Sequence, residues 1–190
     1  VNDDPASLRR SGRPIKRLGV ADSGAIGTHR CGSIGLCGVR NVNNAGTVNN
    51  INGDTSVSII GREGITFTGD IIGGSFENSG QAQYTIGGNS SISISGGSTF
   101  TGNIYGGSYS KVPGNTGSTM TTAGNITVEL GTGTYRGNIY GAGNKGTAGG
   151  DVLVSLTGGS VFGAEGQDGG ITVGGSAGAA VEGNRTLELK

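Results

Sequence analysis

Apolar side chains along this chain alternate with polar ones in short runs. The runs contain Val57 and Ile59, Ile92 and Ile94, Ile126 and Val128, and Val152 and Val154; Ile171 with Val173, and then Leu187 with Leu189, continue the series. Such period-two alternation, rich in β-branched residues and bounded by glycine, predicts strands, because successive side chains of a strand face opposite ways. The runs begin at Val57, Ile92, Ile126, Val152 and Ile171, so the intervals are 35, 34, 26 and 19 residues. Each run is followed by a second block: Ile65-Thr-Phe-Thr-Gly-Asp-Ile-Ile-Gly-Gly-Ser75, Ser98-Thr-Phe-Thr-Gly-Asn-Ile-Tyr-Gly-Gly-Ser108 and Gly133-Thr-Tyr-Arg-Gly-Asn-Ile-Tyr-Gly-Ala-Gly143, with a degenerate copy in Gly159-Ser-Val-Phe-Gly-Ala164. The intervals shrink only after the Gly-[Asn/Asp]-Ile part of the block. One loop varies and the rest is fixed.

A unit of two or three short strands cannot bury its apolar side alone, but it can stack on its neighbours at about 4.8 Å per coil and complete their hydrogen bonding. The predicted fold is therefore all-β, a parallel β-helix (solenoid) of five to six coils, wound right-handed because parallel crossovers are overwhelmingly so. An antiparallel sandwich also has short strands at regular spacing. It does not explain a block that recurs nearly verbatim at intervals of 33 and 35 residues.

The core is then a ladder of equivalent positions. Phe67 and Ile71 begin it; Ile92, Ile94, Phe100 and Ile104 stack on Ile126, Val128, Tyr135 and Ile139, and Val152 and Val154 follow. Tyr105 and Tyr140 come directly after inward isoleucines and are expected to face outward, as surface-contact residues. Gly102-Asn103 and Gly137-Asn138 fall where the chain turns a corner, where positive φ suits glycine and asparagine. Residues 41–53 read as a worn coil with Val42, Val48 and Ile51 inward. Residues 1–25 read as an irregular basic extension, held by a neighbour or by packing across the first coil; residues 26–190 form the solenoid, with clear repeats over 57–175.

Composition changes the picture in three ways. The chain has 43 glycines but 3 prolines and no strict G-X-Y period, which excludes collagen and a Pro-rich linker, and its 32% hydrophobic content suits a thin repetitive core. Charge is balanced at 13 basic against 13 acidic residues, so a nucleic-acid partner is not expected. The exception is local: Arg9, Arg10, Arg13, Lys16 and Arg17 against Asp3 and Asp4 give the first twenty residues a net +3. Such a run reads as a solvated tail or as a contact to an anionic surface. No apolar run approaches the roughly 18 residues of a membrane helix, and Val1 reads as a processed or trimmed start.

Candidate chemistry is sparse. Cys31 and Cys37 are separated by five residues, a spacing that suits a small disulfide in an exported protein; a His29-Cys31-Cys37 metal site lacks a fourth ligand, and two free thiols are the remaining reading. The carboxylates Asp54, Asp70, Glu129, Asp151, Glu165 and Asp168 fall singly in turn-like positions, and there is no Trp to platform a sugar in a lyase or hydrolase cleft. No catalytic site, cofactor or metal is expected. Thr66/Thr68 and Thr99/Thr101 pair on one face, but Arg136 interrupts the array.

The blocks Gly-Asn-Ile-Tyr-Gly-Gly and Ser-Thr-Phe-Thr-Gly, with Asn-Asn-Ala-Gly-Thr-Val-Asn-Asn upstream, resemble the Gly-rich β-helical passenger domains of bacterial autotransporters and surface adhesins, over residues 41–190. The resemblance implies export, a right-handed β-helix, a location outside the cell or on its surface, and an adhesive or scaffold role toward a glycan or protein. The chain lacks the C-terminal translocator barrel of that pattern, which leaves a cut fragment and a different secretion route open. A filament or sheath subunit that stacks end to end through open sheet edges is the second expectation, and a carbohydrate-active β-helix enzyme the third.

Overall fold

The computed structural model describes residues 17–20, 29–30, 35–40, 48–77, 83–110, 119–163, 169–176 and 179–190, with side chains from residue 50 onward except at 119. All regular structure there is strand. Two strands, β1 (Arg17–Val20) and β2 (His29–Arg30), precede a winding that passes the same four faces in the same order. The first coil is β3 (Gly35–Arg40), β4 (Val48–Ile51), β5 (Thr55–Ile60) and β6 (Thr66–Phe67), and the second is β7 (Asp70–Glu77), β8 (Gln83–Ile86), β9 (Ser90–Ser95) and β10 (Thr99–Phe100). The third is β11 (Ile104–Tyr105), with a short β12 (Tyr109–Ser110), then β13 (Thr119–Thr122), β14 (Ile126–Leu130) and β15 (Gly133–Tyr135). The fourth is β16 (Ile139–Tyr140), β17 (Thr147–Ala148), β18 (Val152–Leu156) and β19 (Ser160–Phe162); β20 (Ile171–Thr172), β21 (Ala180–Val181) and β22 (Arg185–Leu189) begin a fifth. Faces one to four are thus led by β3, β4, β5 and β6.

The chain is a parallel β-solenoid of four coils and part of a fifth, fewer than the five to six read from the intervals. The difference arises at Ile171, which stacks on Ile139 of face one, whereas Leu187 stacks on Val154 of face three. The 19-residue interval is only part of a turn. Each coil also carries four strands, not two or three.

Inward positions form columns. Val57, Ile92, Val128 and Val154 make one on face three, and Ile59, Ile94, Leu130 and Leu156 make its neighbour; Leu187 and Leu189 of β22 continue the two registers but are exposed. Ile92 therefore lies on Val128, two residues from the expected Ile126, which instead covers the buried Ser90. A two-residue slip keeps the inward face inward, so alternation alone cannot fix it. The hydroxyl of Ser90 donates to the Gly106 carbonyl at 2.7 Å, which lets a polar residue occupy that inward place.

Face four carries an aromatic column. Phe67 stacks on Phe100 at 5.0 Å, Phe100 on Tyr135 at 5.3 Å and Tyr135 on Phe162 at 5.4 Å between ring centroids. On face one Ile71, Ile104, Ile139 and Ile171 stack in the same way. Of the twelve residues expected in the ladder, Ile71, Ile92, Ile94, Phe100, Ile104, Ile126, Val128, Tyr135, Ile139, Val152 and Val154 are buried, and Phe67 is partly buried against them.

Two rows of side-chain amides and carboxylates tie coil to coil outside this core. Between faces two and three, Asp54 Oδ1 accepts from the Asn89 backbone N–H, Asn89 Oδ1 from Asn125 N–H, Asn125 Oδ1 from Asp151 N–H and Asp151 Oδ1 from Asn184 N–H. Between faces four and one, Asp70 Oδ1 accepts from Asn103 N–H at 2.7 Å, Asn103 Oδ1 from Asn138 N–H at 2.9 Å and Asn138 Oδ1 from Gly170 N–H at 3.0 Å.

The glycines beside the second row are not there for positive φ. Gly102 and Gly137 are absent from the positive-φ positions, which include Gly96 at 95° and Gly97 at 85°. Instead, a Cβ on Gly102 would run into the Gly69 backbone, and one on Gly137 into the Gly102 carbonyl. Close passage of one coil over the next is what demands glycine.

The basic extension is not wholly irregular. Within it β1 pairs antiparallel with β5, in register from Arg17 opposite Ile60 to Val20 opposite Val57; β2, inside the span 26–190 read as parallel solenoid, pairs antiparallel with β3. These are the two antiparallel pairings among the described strands, and both lie at the edge of the first coil.

Candidate binding face

Register fixes where the loops differ. From Thr85 to Ile92, Thr121 to Val128, Thr147 to Val154 and Ala180 to Leu187, faces two and three are always seven residues apart. From face one to face two the separation is 14 residues (Ile71 to Thr85), 17 (Ile104 to Thr121), 8 (Ile139 to Thr147) and 9 (Ile171 to Ala180). From face four to face one it is 4 for Phe67 to Ile71, Phe100 to Ile104 and Tyr135 to Ile139, but 9 for Phe162 to Ile171. The corner between faces three and four varies by no more than three residues. The large changes of length thus border face one on both sides.

The outer side of face one holds a second aromatic group. Ile72, Tyr105, Tyr140 and Thr172 share one column, and Tyr105 stacks on Tyr140 at 5.1 Å with the rings 12° apart. Beside it, Tyr109 stacks on Phe76 at 5.9 Å and meets Tyr105 at 4.7 Å in a tilted arrangement. Four of the chain's nine Phe and Tyr residues are therefore on this outer side.

Tyr105 does face away from the ladder core, but it is not a free surface residue. Its exposure is 5%, because Ile72, Tyr109 and Tyr140 close around the ring. Tyr140 is half-buried and is the last ring of the column. Sequence reasoning missed Phe76 and Tyr109, although the signal was present: Gly73-Gly74-Ser75-Phe76 and Gly106-Gly107-Ser108-Tyr109 extend the repeated block by one aromatic residue. Those glycines are needed, since a Cβ on Gly107 would overlap the Ala142 carbonyl, and Ser75 and Ser108 hydrogen-bond through their hydroxyls at 2.9 Å.

Electrostatics here are dominated by burial. Asp70, at the foot of the amide row, has its carboxyl pushed up from the ordinary value by burial, partly offset by the Asn103 N–H it accepts. Burial also pushes the Tyr105 and Tyr109 hydroxyls above the usual tyrosine range, and the nearby Asp70 charge adds to both.

The remaining candidates are not gathered here. Arg9, Arg10, Arg13, Lys16 and Cys31 lie outside the described residues; Arg17 opens β1, and Cys37 sits in β3 at the register of Ile72 and of His29. Asp54 and Asp151 serve the first amide row. Glu129 is no turn residue: it stands on the exposed side of β14, between Ser93 and Ser155 in register. Among the described residues no three His, Cys, Asp or Glu side chains come together as a metal site, and no helix is long and apolar enough to cross a membrane. Comparison with known protein families, with curated proteins and with solved structures finds no match.

Proposed function

We propose that this chain is a non-enzymatic, extracellular surface protein, an adhesive or structural scaffold of the autotransporter-passenger type, and that face one is its contact face. The observation that supports this reading is the placement of length variation. In solenoid proteins the coil supplies a rigid rod, and per-repeat insertions collect on the face that meets a partner. Here the separation between faces two and three never changes, whereas the corners bordering face one absorb almost all of the change. The rod itself is held by stacked columns and by two rows of side-chain bonds, an economical way to keep a surface in place with little core.

Antibody labelling of intact producing cells, set against lysed cells, tests the location: labelling of intact cells is expected, and signal confined to the lysate interior overturns the proposal. A complete reading frame that joins this chain to a translocator barrel or wall anchor is expected as well.

A further inference from the structure

Resting on face one as the contact face, we propose that Tyr140 is the stacking platform of a saccharide-binding site, with Asn138 and Thr172 as its polar rim. Tyr140 has one ring face covered by Tyr105, 12° from parallel. In the next coil its column continues not with a ring but with Thr172, which is exposed and too small to cover the other face. A partly exposed aromatic ring whose column ends in an exposed threonine, with hydroxyl and amide groups beside it, matches a pyranose, whose C–H face is apolar and whose edge is hydroxylated.

The rim supplies the edge contacts. Asn138 belongs to the amide row outside the core, two residues before Tyr140; its Oδ1 is taken by the Gly170 N–H, so the polar group it can turn to a ligand is the Nδ2 amide. That leaves an amide donor, while Thr172 offers a hydroxyl. Tyr105, although chemically equal to Tyr140, is enclosed and cannot serve.

Saccharide could reach this site as a neutral or as a uronic-acid polymer, and both share the ring that stacks; exposed Arg136, just before the Gly137-Asn138 corner, would favour the second. Affinity electrophoresis of the full chain through gels containing barley β-glucan or sodium alginate separates the two. Retardation by at least one polymer is expected. Tyr140→Phe keeps the platform and should be retarded like the parent; Tyr140→Ala should bind at least about tenfold more weakly.

Thr172→Tyr is the decisive variant. It adds one more ring to the column, so it should cover Tyr140 and abolish retardation while the melting temperature holds or rises. No retardation of the parent by either polymer overturns the site, as does equal retardation of the parent and Thr172→Tyr. These outcomes are separable from the contact-face reading, since a chain displayed on intact cells that ignores both polymers fails only here.

Discussion

A single methyl group is enough to test the spacing between coils. Gly137→Ala would press its Cβ into the Gly102 carbonyl of the coil below, and rigid backbone cannot yield as a side chain does. The expected cost is about 1–3 kcal/mol, read as a lowered midpoint in urea unfolding; an unchanged midpoint would mean that the coils are less closely apposed at this corner. Asp70 offers the opposite outcome. Its burial raises the carboxyl pKa, so the folded state holds the proton at a pH where the unfolded chain has lost it. Stability from this group is complete below the ordinary carboxylate pKa of 3.8 and is lost as pH rises through the elevated folded value. Asn at this position copies Asn103 and Asn138 above it and keeps an acceptor for the Asn103 N–H. Asp70→Asn should therefore melt higher than the parent at pH 7, with the advantage fading in acid. At this scale much was legible: the inward parity of Ile92, Ile94, Ile126, Val128, Val152 and Val154 follows from alternation, and the places of Phe67, Ile71, Phe100, Ile104, Tyr135 and Ile139 follow from the repeated block. The enclosure of Tyr105 was not, because it depends on Phe76 and Tyr109, brought alongside by a pairing between β12 and β7 that no local pattern announces.

Among elements, the columns matter more than any one strand. Phe100 has ring neighbours both above and below, so Phe100→Ala should cost about 3–5 kcal/mol, more than the same change at Phe162, which has one ring neighbour, Tyr135, among the described residues. Equal losses in paired thermal melts would argue against a cooperative column. The strands of face three could be found from the sequence because β-branched residues alternate in them, and those of faces four and one because the Thr-[Phe/Tyr]-x-Gly-[Asn/Asp]-Ile block recurs. Face two was read only at β4, through Val48 and Ile51: Gln83-Tyr-Thr-Ile86 is half polar, Thr119-Met-Thr-Thr122 is dominated by polar residues, and β17 is two residues long. Its strands are held by their neighbours, not by their own pattern. The two-residue register shift at Ile126 had the same origin, since Ser90 looks like an outward residue until the Gly106 carbonyl is seen to satisfy it.

For the whole molecule, winding and stacking could be read from the near-verbatim blocks, whereas the number of coils could not, because Gly169-Gly170-Ile171 had to be recognised as the counterpart of Gly137-Asn138-Ile139. Alkali tests the integrity of both aromatic groups together. Burial raises the Tyr105 and Tyr135 hydroxyls above the ordinary tyrosine value of 10.0. The stability they confer is full below that value, and it is lost as the pH climbs through the higher folded values, when ionisation favours the open chain. Tyrosinate absorbance should accordingly rise together with loss of the strand signal in circular dichroism; titration of these tyrosines with the strand signal intact would place them in solvent.

The two amide rows point the same way along the axis: every side-chain oxygen offered by one coil accepts the N–H of the coil that comes later in the chain. In these two rows a coil thus offers side-chain acceptors to its successor, while its predecessor receives only backbone carbonyls in return. A polypeptide that reaches its destination amino end first therefore meets these side-chain acceptors already in position as each new rung is laid down.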